Sequence, residues 1–191
     1  MKFIDSTHIE IDRELSDLDK FTIEFITILK KHIDYVIVSG YVAILLGRSR
    51  ASEDVDVIIP RITFSDFKRL YKNLKENDFY CLNAEDEEIV YSYLEENLAI
   101  RFAKLDTIIP NVELKWIKND FDKIALKKTI DVTIRDKIIC ISHLELQIAF
   151  KEVILKSPKD LEDALHLRSV AKEYLDFSLI QEYKEKLHGF Y

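Results

Sequence analysis

The sequence predicts an α+β fold, a mixed β-sheet flanked by helices and followed by a helical C-terminal extension. Short β-branched runs alternate with amphipathic helical stretches through residues 33–141, and residues 142–191 read as helical. No repeat, low-complexity stretch or linker interrupts the chain, so a single domain over 1–191 is expected. Hydrophobic residues make up 48% of the 191, enough to bury a sizeable core.

The elements follow in order. Leu15, Leu18, Phe21, Phe25, Ile28 and Leu29 recur at three-and-four spacing, which predicts a helix within 10–32. Residues 34–38 form a β-branched run, hence a strand. Residues 41–46 are apolar and lie between Gly40 and Gly47, which fits a brief buried helix. Residues 55–59 are a second strand, ended by Pro60, which cannot donate to a ladder. Phe64, Phe67, Leu70, Tyr71 and Leu74 predict a helix over 63–77, opening near Ser65-Asp66. A short strand at 79–82 and a helix over 85–97 come next. Residues 98–104 and 112–117 alternate as a strand pair around a turn at 106–111. A short helix over 120–128 precedes a hairpin of 129–134 with 137–141. In the extension, Ser142-His143-Leu144-Glu145 has the pattern of a capping box. Ser157-Pro158 reads as a cap followed by proline in the first turn.

Composition narrows the function. The net charge of −7 and pI near 5.3 argue against an extended non-specific nucleic-acid groove, while a local basic patch stays compatible. No apolar run approaches the roughly 20 residues that span a bilayer. MKFIDSTHIEID carries charge where a signal peptide is apolar, so a cytoplasmic protein without a membrane partner is expected. Cys81 and Cys140 lack C-x-x-C spacing and read as reduced, buried side chains. Richness in Ile, Lys and Glu with few Gln resembles hyperthermophile composition. His143 and His166 lack the spacing of zinc ligands.

The chemistry concentrates in residues 36–59, VIVSGYVAILLGRSRASEDVDVII, which hold two of the three glycines. Asp54 and Asp56 point to one face of a strand. Two carboxylates so placed repel unless a cation lies between them, and oxygen ligands suit Mg²⁺ or Mn²⁺. Ser39-Gly40 ahead of a helix offers free amides to a phosphate. Arg48 and Arg50 can neutralise a triphosphate or a leaving pyrophosphate. These are the parts of a two-metal phosphoryl-transfer site.

This order of strand, small-residue turn, helix, G-R-x-R and D-h-D resembles the nucleotidyltransferase superfamily of the polymerase-β type. It is most similar to minimal prokaryotic members such as the AbiEii-like toxin enzymes. The resemblance implies a nucleotidyltransferase-like fold, phosphates at Ser39-Gly40, and Asp54 and Asp56 as metal ligands. It also implies a third carboxylate on a later strand. Glu113 in Val112-Glu113-Leu114-Lys115-Trp116 is the favoured candidate, with Asp106, Asp122 and Asp131 as the alternatives. Lys115 shares the face of Glu113 and is placed to contact substrate phosphate. One departure concerns Ser39-Gly40-Tyr41, where the family carries Gly-Gly or Gly-Ser. If the pair begins at Gly40, Tyr41 crowds the phosphate; if the pair is Ser39-Gly40, its order is permuted.

The resemblance extends to a lysine followed by K-D-x-x-D, here Lys151, Lys159, Asp160 and Asp163. These residues serve either the substrate or helix capping, with Lys159 able to pair with Asp163. The expected function is Mg-dependent transfer of an NMP group from an NTP to a hydroxyl on tRNA, a protein or a small molecule. By analogy with the AbiEii-like members, the resemblance also implies a toxin–antitoxin role with a cognate antitoxin. Two alternatives remain: a non-catalytic nucleotide- or partner-binding domain of the same fold, and a metal-dependent nuclease. The nuclease reading takes Asp54 with Glu113-Leu114-Lys115 as a degenerate D…E-x-K pattern.

Overall fold

A computed structural model describes residues 1–190. The strands are β1 (Lys2–Phe3), β2 (His8–Ile11), β3 (Val36–Val38), β4 (Asp54–Ile59), β5 (Phe79–Cys81), β6 (Ile100–Lys104), β7 (Asn111–Trp116), β8 (Thr129–Ile134) and β9 (Lys137–Ser142). They form one mixed sheet in the order β1-β2-β8-β9-β3-β4-β7-β6-β5. At its centre β4 runs antiparallel to β3 and parallel to β7.

Alternation along these strands assigns two different jobs to the two sheet faces. Val55, Val57, Ile59, Val112 and Leu114 are fully buried, with Trp116 at 3% exposure. On their side lie helices α1 (Asp17–Leu29), α3 (Phe64–Glu76) and α4 (Glu87–Glu95). Their aromatic rings pack together and onto the strands, as Phe25 meets Phe79 and Phe102, and Tyr91 meets Trp116 edge-on. The opposite face carries Asp54, Asp56, Glu113 and Lys115. It is covered in part by α5 (Asp120–Lys127), α6 (Leu144–Phe150) and a π-helical segment, Lys151–Leu155, that continues α6. Helices α7 (Pro158–Val170) and α8 (Phe177–Phe190) complete the extension, and α2 (Gly40–Leu45) links β3 towards β4.

Three local expectations need correction. The first helix starts at Asp17, not within 10–16, because Ser16 and Asp19 form a capping box there. Before it, Ile9 and Ile11 are buried at period two, and His8–Ile11 adds a strand alongside β8. The capping box at 142–145 does not form. Ser142 is committed to β9, opposite Thr129, and His143 takes the cap position without a side-chain bond. Glu145 accepts instead from the Asp176 amide, 3.1 Å away. Thr63, not Ser65, caps α3. Ser157 caps α7 as expected, with Pro158 in the first turn. Cys81 and Cys140 are free on β5 and β9; Cys81 is buried as expected, Cys140 only half-buried, and desolvation pushes both thiols up.

A closed polar ring ties α8 to the sheet. His143 Nδ1 donates to the Lys128 carbonyl at 3.1 Å, which leaves Nε2 to accept from the Tyr183 hydroxyl at 3.1 Å. Lys128 Nζ donates to the same tyrosine oxygen at 3.2 Å. Burial, reinforced by the Lys128 charge, pushes the imidazole from 6.5 down to about 4. The unfolded chain therefore binds the extra proton between these values, and stability falls as pH drops from 6.5 towards 4. Chemical denaturation should show His143→Gln losing less stability than the parent over this window, by on the order of 2 kcal/mol.

Candidate active site

The parallel register of β4 and β7 sets the geometry. Asp54 lies opposite Asn111, Asp56 opposite Glu113 and Ile58 opposite Lys115, so the acids of two neighbouring strands share one face. Of the four candidate third carboxylates, Glu113 is the one on a strand beside β4. Asp131 lies on β8, separated from β4 by β9 and β3. Asp106 occupies a left-handed turn position, φ 64°, and the Asp122 carboxylate accepts the Lys118 amide at 2.7 Å.

Cations answer this acidic face. Lys115 Nζ is 2.8 Å from Asp56 Oδ1 and 3.6 Å from Glu113 Oε1. Arg101, in register with Glu113 across β6, donates to its Oε2 from Nε at 3.1 Å and from Nη2 at 2.8 Å. Burial alone would raise the Glu113 carboxyl, but the Arg101 bonds and Lys115 outweigh it and hold the acid below its ordinary range. Burial would likewise lower Lys115, yet Asp56 and Glu113 keep it above the usual lysine value. Asp54 has a lighter partner, accepting from Ser52 Oγ at 3.2 Å.

The three carboxylates are all-oxygen donors of the kind a divalent cation takes, so the chemistry of the set fits Mg²⁺. In the present arrangement Lys115 stands between two of them. Among the described residues, no group of three or more His, Cys, Asp or Glu side chains converges on a common metal position.

The glycine turn has its own local geometry. Ser39 has φ 66° and ψ −135°, a backbone conformation that suits glycine and strains a serine. At Gly40 a Cβ would lie 1.8 Å from Arg50 Nη2, so this residue has no room for a side chain while the guanidinium rests there. Ser39 and Gly40 thus both stand where a small residue is favoured. Tyr41 does not crowd them. Its ring is fully buried in the core, and its hydroxyl donates to Asp19 at 2.8 Å. The Ser39 amide is not free for an anion as expected, because it donates to Gln147 Oε1 at 3.0 Å.

The two arginines after Gly47 have separate duties. Arg48 binds the Asp163 and Glu162 carboxylates and donates to the Lys159 carbonyl at 3.0 Å. Arg50 approaches Asp163 only to 3.4 Å, and its buried Nε has no hydrogen-bond partner. Lys151 is 1% exposed and pairs with Asp163 at 2.8 Å and Asp160 at 3.3 Å. Burial, with Arg50 adding to it, lowers the lysine despite the opposing pull of Asp160. The Asp160 amide also donates to the capping Ser157 Oγ at 3.2 Å. Lys159 does not pair with Asp163 as expected: its side chain is exposed, and its carbonyl is what meets Arg48. Asp163, fully buried, is occupied by Arg48, Arg50 and Lys151.

A cavity of about 330 Å³ opens beside these groups. Ser39, Asp56, Lys115, Gln147 and Lys151 edge it, and Ile58, Phe121, Leu146 and Phe150 give it apolar walls. Arg101 and Gln147 were not anticipated. Arg101 could have been found from strand register, whereas nothing in the sequence near Gln147 announces its reach to Ser39.

The mixed sheet flanked by helices is the fold of nucleotidyltransferase-like proteins. The chain is similar to an antigenic nucleotidyltransferase-like protein from Paracoccidioides brasiliensis, at 16% identity and TM-score 0.51, over 91% of this chain and 88% of that one. It is similar also to the antibiotic-resistance factor ANT(2″)-Ia in its solution structure, at 13% identity and TM-score 0.58, over 92% and 95%. The same factor in crystal complex with adenylyl-2″-tobramycin gives 11% and 0.58, over 92% and 99%. No family model and no curated protein matches the sequence. Among the described residues, no helix is long and apolar enough to cross a membrane.

Relief of the strained turn is measurable. Ser39→Gly should raise stability by about 1 kcal/mol in denaturant titration, because glycine adopts this conformation without the steric penalty.

Proposed function

We propose that the protein is a nucleotidyltransferase that moves an NMP group from an NTP to a hydroxyl acceptor. One observation carries the reading: Asp56 and Glu113 lie side by side on adjacent strands, and Asp56 lines one cavity with Ser39, in this fold. In the reaction an acceptor oxygen bonds to the α-phosphorus and gives up its proton. The bond to the β-phosphate oxygen breaks, and pyrophosphate leaves with the electron pair.

Asp54, Asp56 and Glu113 would hold Mg²⁺ or Mn²⁺, which supplies Lewis-acid stabilisation of phosphoryl charge when bound. Glu113, held acidic by Arg101 and Lys115, suits ligation better than proton abstraction, since a general base works best with a pKa near the operating pH. Arg50 is the arginine with bonding capacity to spare, and it rests against Gly40, so it takes the charge developing on the leaving group. Arg48, Asp160 and Asp163 fix its surroundings. Lys115 and Lys151 face the cavity and suit anionic phosphate.

The acceptor is the finer part of the reading. Lys115, Lys118 and Lys151 line the cavity together with Asp56 and Asp122, a balance better suited to a nucleotide than to a polycationic sugar. A tRNA end or a protein side chain then fits the acceptor better than an aminoglycoside. Lys159-Asp160-x-x-Asp163 supports kinship with AbiEii-like toxins, and with it a cognate antitoxin partner. Release of pyrophosphate from each NTP with Mg²⁺, in the presence of tRNA, cell protein or aminoglycoside, tests the assignment. Asp54→Asn and Asp56→Asn should each cut turnover about a hundredfold or more, as loss of several kcal/mol of charge stabilisation requires. Unchanged turnover in both variants sinks the site. Tight nucleotide binding by the unaltered protein without turnover on any acceptor would favour a binding domain instead.

A further inference from the structure

We propose that Lys115 is an exchangeable internal cation: it fills the carboxylate site of the nucleotide-free protein and leaves it for the nucleotide's phosphates. The divalent cation and the NTP then enter together. The inference rests on the site reading above and adds to it a coupling between the two ligands.

Geometry supports each half of the exchange. The ammonium touches Asp56 at 2.8 Å and reaches Glu113 at 3.6 Å, so these two acids already share one cation. Arg101 already neutralises the far oxygen of Glu113. Asp56 and Glu113 thus face two positive charges, the Lys115 ammonium and the Arg101 guanidinium, and a divalent ion arriving alone meets a pair already neutralised. Like charges at such separations repel strongly where water is partly excluded. Lys115 must therefore move before the ion can use both Asp56 and Glu113.

It has somewhere to go. Its side chain is 27% exposed and lines the cavity that Ser39 and Lys151 also edge. A lysine has a flexible four-carbon stem and no fixed bonding plane, so rotation about its own bonds suffices. Arg101 has a different character: its guanidinium is held to Glu113 by two bonds, and it serves as a fixed counter-charge. Triphosphate in the cavity offers the ammonium a stronger anionic partner than one shared carboxylate. By linkage, whatever draws Lys115 away strengthens metal binding.

The test measures Mn²⁺ binding by electron paramagnetic resonance on the full chain without nucleotide, for the unaltered protein, Lys115→Met and Lys115→Gln. Circular dichroism selects whichever neutral variant is folded. Removal of the ammonium should tighten Mn²⁺ at least tenfold, while Lys115→Arg, which keeps the charge, should not. In EDTA, the neutral variants should bind a non-hydrolysable NTP about tenfold more weakly. Mn²⁺ affinity unchanged or weakened in the neutral variants overturns the exchange. Asp56→Asn in the Lys115→Met background separates the two ideas. If it abolishes Mn²⁺ binding although Lys115→Met brought no gain, the carboxylate site stands and only the exchange fails. If Mn²⁺ binds undiminished without Asp56, the site reading and the exchange fall together.

Discussion

Parallel pairing of β4 with β7 places Asp56 directly beside Glu113, and much of this face follows from that one contact. A neighbouring pair of partly buried carboxylates is unstable without positive charge close by. The sheet supplies it from its own strands, with Lys115 two residues along β7 and Arg101 in register on β6. Alternation then does the sorting. A one-residue slip of β7 would bring Val112 and Leu114 to the acidic face and turn Glu113 into the aromatic layer of α1, α3 and α4. The fully buried side chains of β4 and β7 hold the register against that slip.

A second anchor is Asp163, a carboxylate with no exposure and three cationic neighbours. A buried acid of this kind costs much in lost hydration, and loss of any one partner leaves charge uncompensated. Its value is positional. Arg48 and Arg50 come from the loop after α2, Lys151 from the π-helical turn after α6, and Asp163 from α7. One side chain thus joins the extension to the glycine turn, and the arginine it steadies is the one whose guanidinium excludes a Cβ at Gly40. The π-helical turn shifts the facing of the helix at Lys151, a local irregularity of a kind often found at functional sites.

The sequence disclosed the parts of this arrangement with strong local signatures. Hydrophobic periodicity exposed the strands and helices of the core, and the rarity of glycine drew attention to residues 39–47. Asp54 and Asp56 were legible as a pair because strand alternation alone places them on one face, whereas Glu113 joins that face only through the register of β7 against β4. What was not legible depended on contacts distant in sequence. The helix boundary at 10–16 went astray because two buried isoleucines, Ile9 and Ile11, are too short a signal to separate strand from helix. Ser142-His143-Leu144-Glu145 carried the letters of a capping box, but strand pairing had prior claim on Ser142. Lys159 was paired with Asp163 on helical spacing, whereas Arg48, more than a hundred residues earlier, reaches that acid first.

Tyr41 shows how a residue that looks damaging in sequence becomes structural in three dimensions. Next to a small-residue turn, a large ring reads as an obstruction. Ser39 takes the positive φ at the N-cap of α2, and position 41 lies in the core. There the hydroxyl completes the shell of Asp19, which Arg13 and Ser16 also bind. Asp19 belongs to the capping box that starts α1, so the glycine turn and the first helix are fixed by the same buried carboxylate. A strained serine at 39 is the conformational cost of that connection. The turn keeps a small-residue opening at Gly40 for Arg50 while its next residue anchors the opposite layer of the fold.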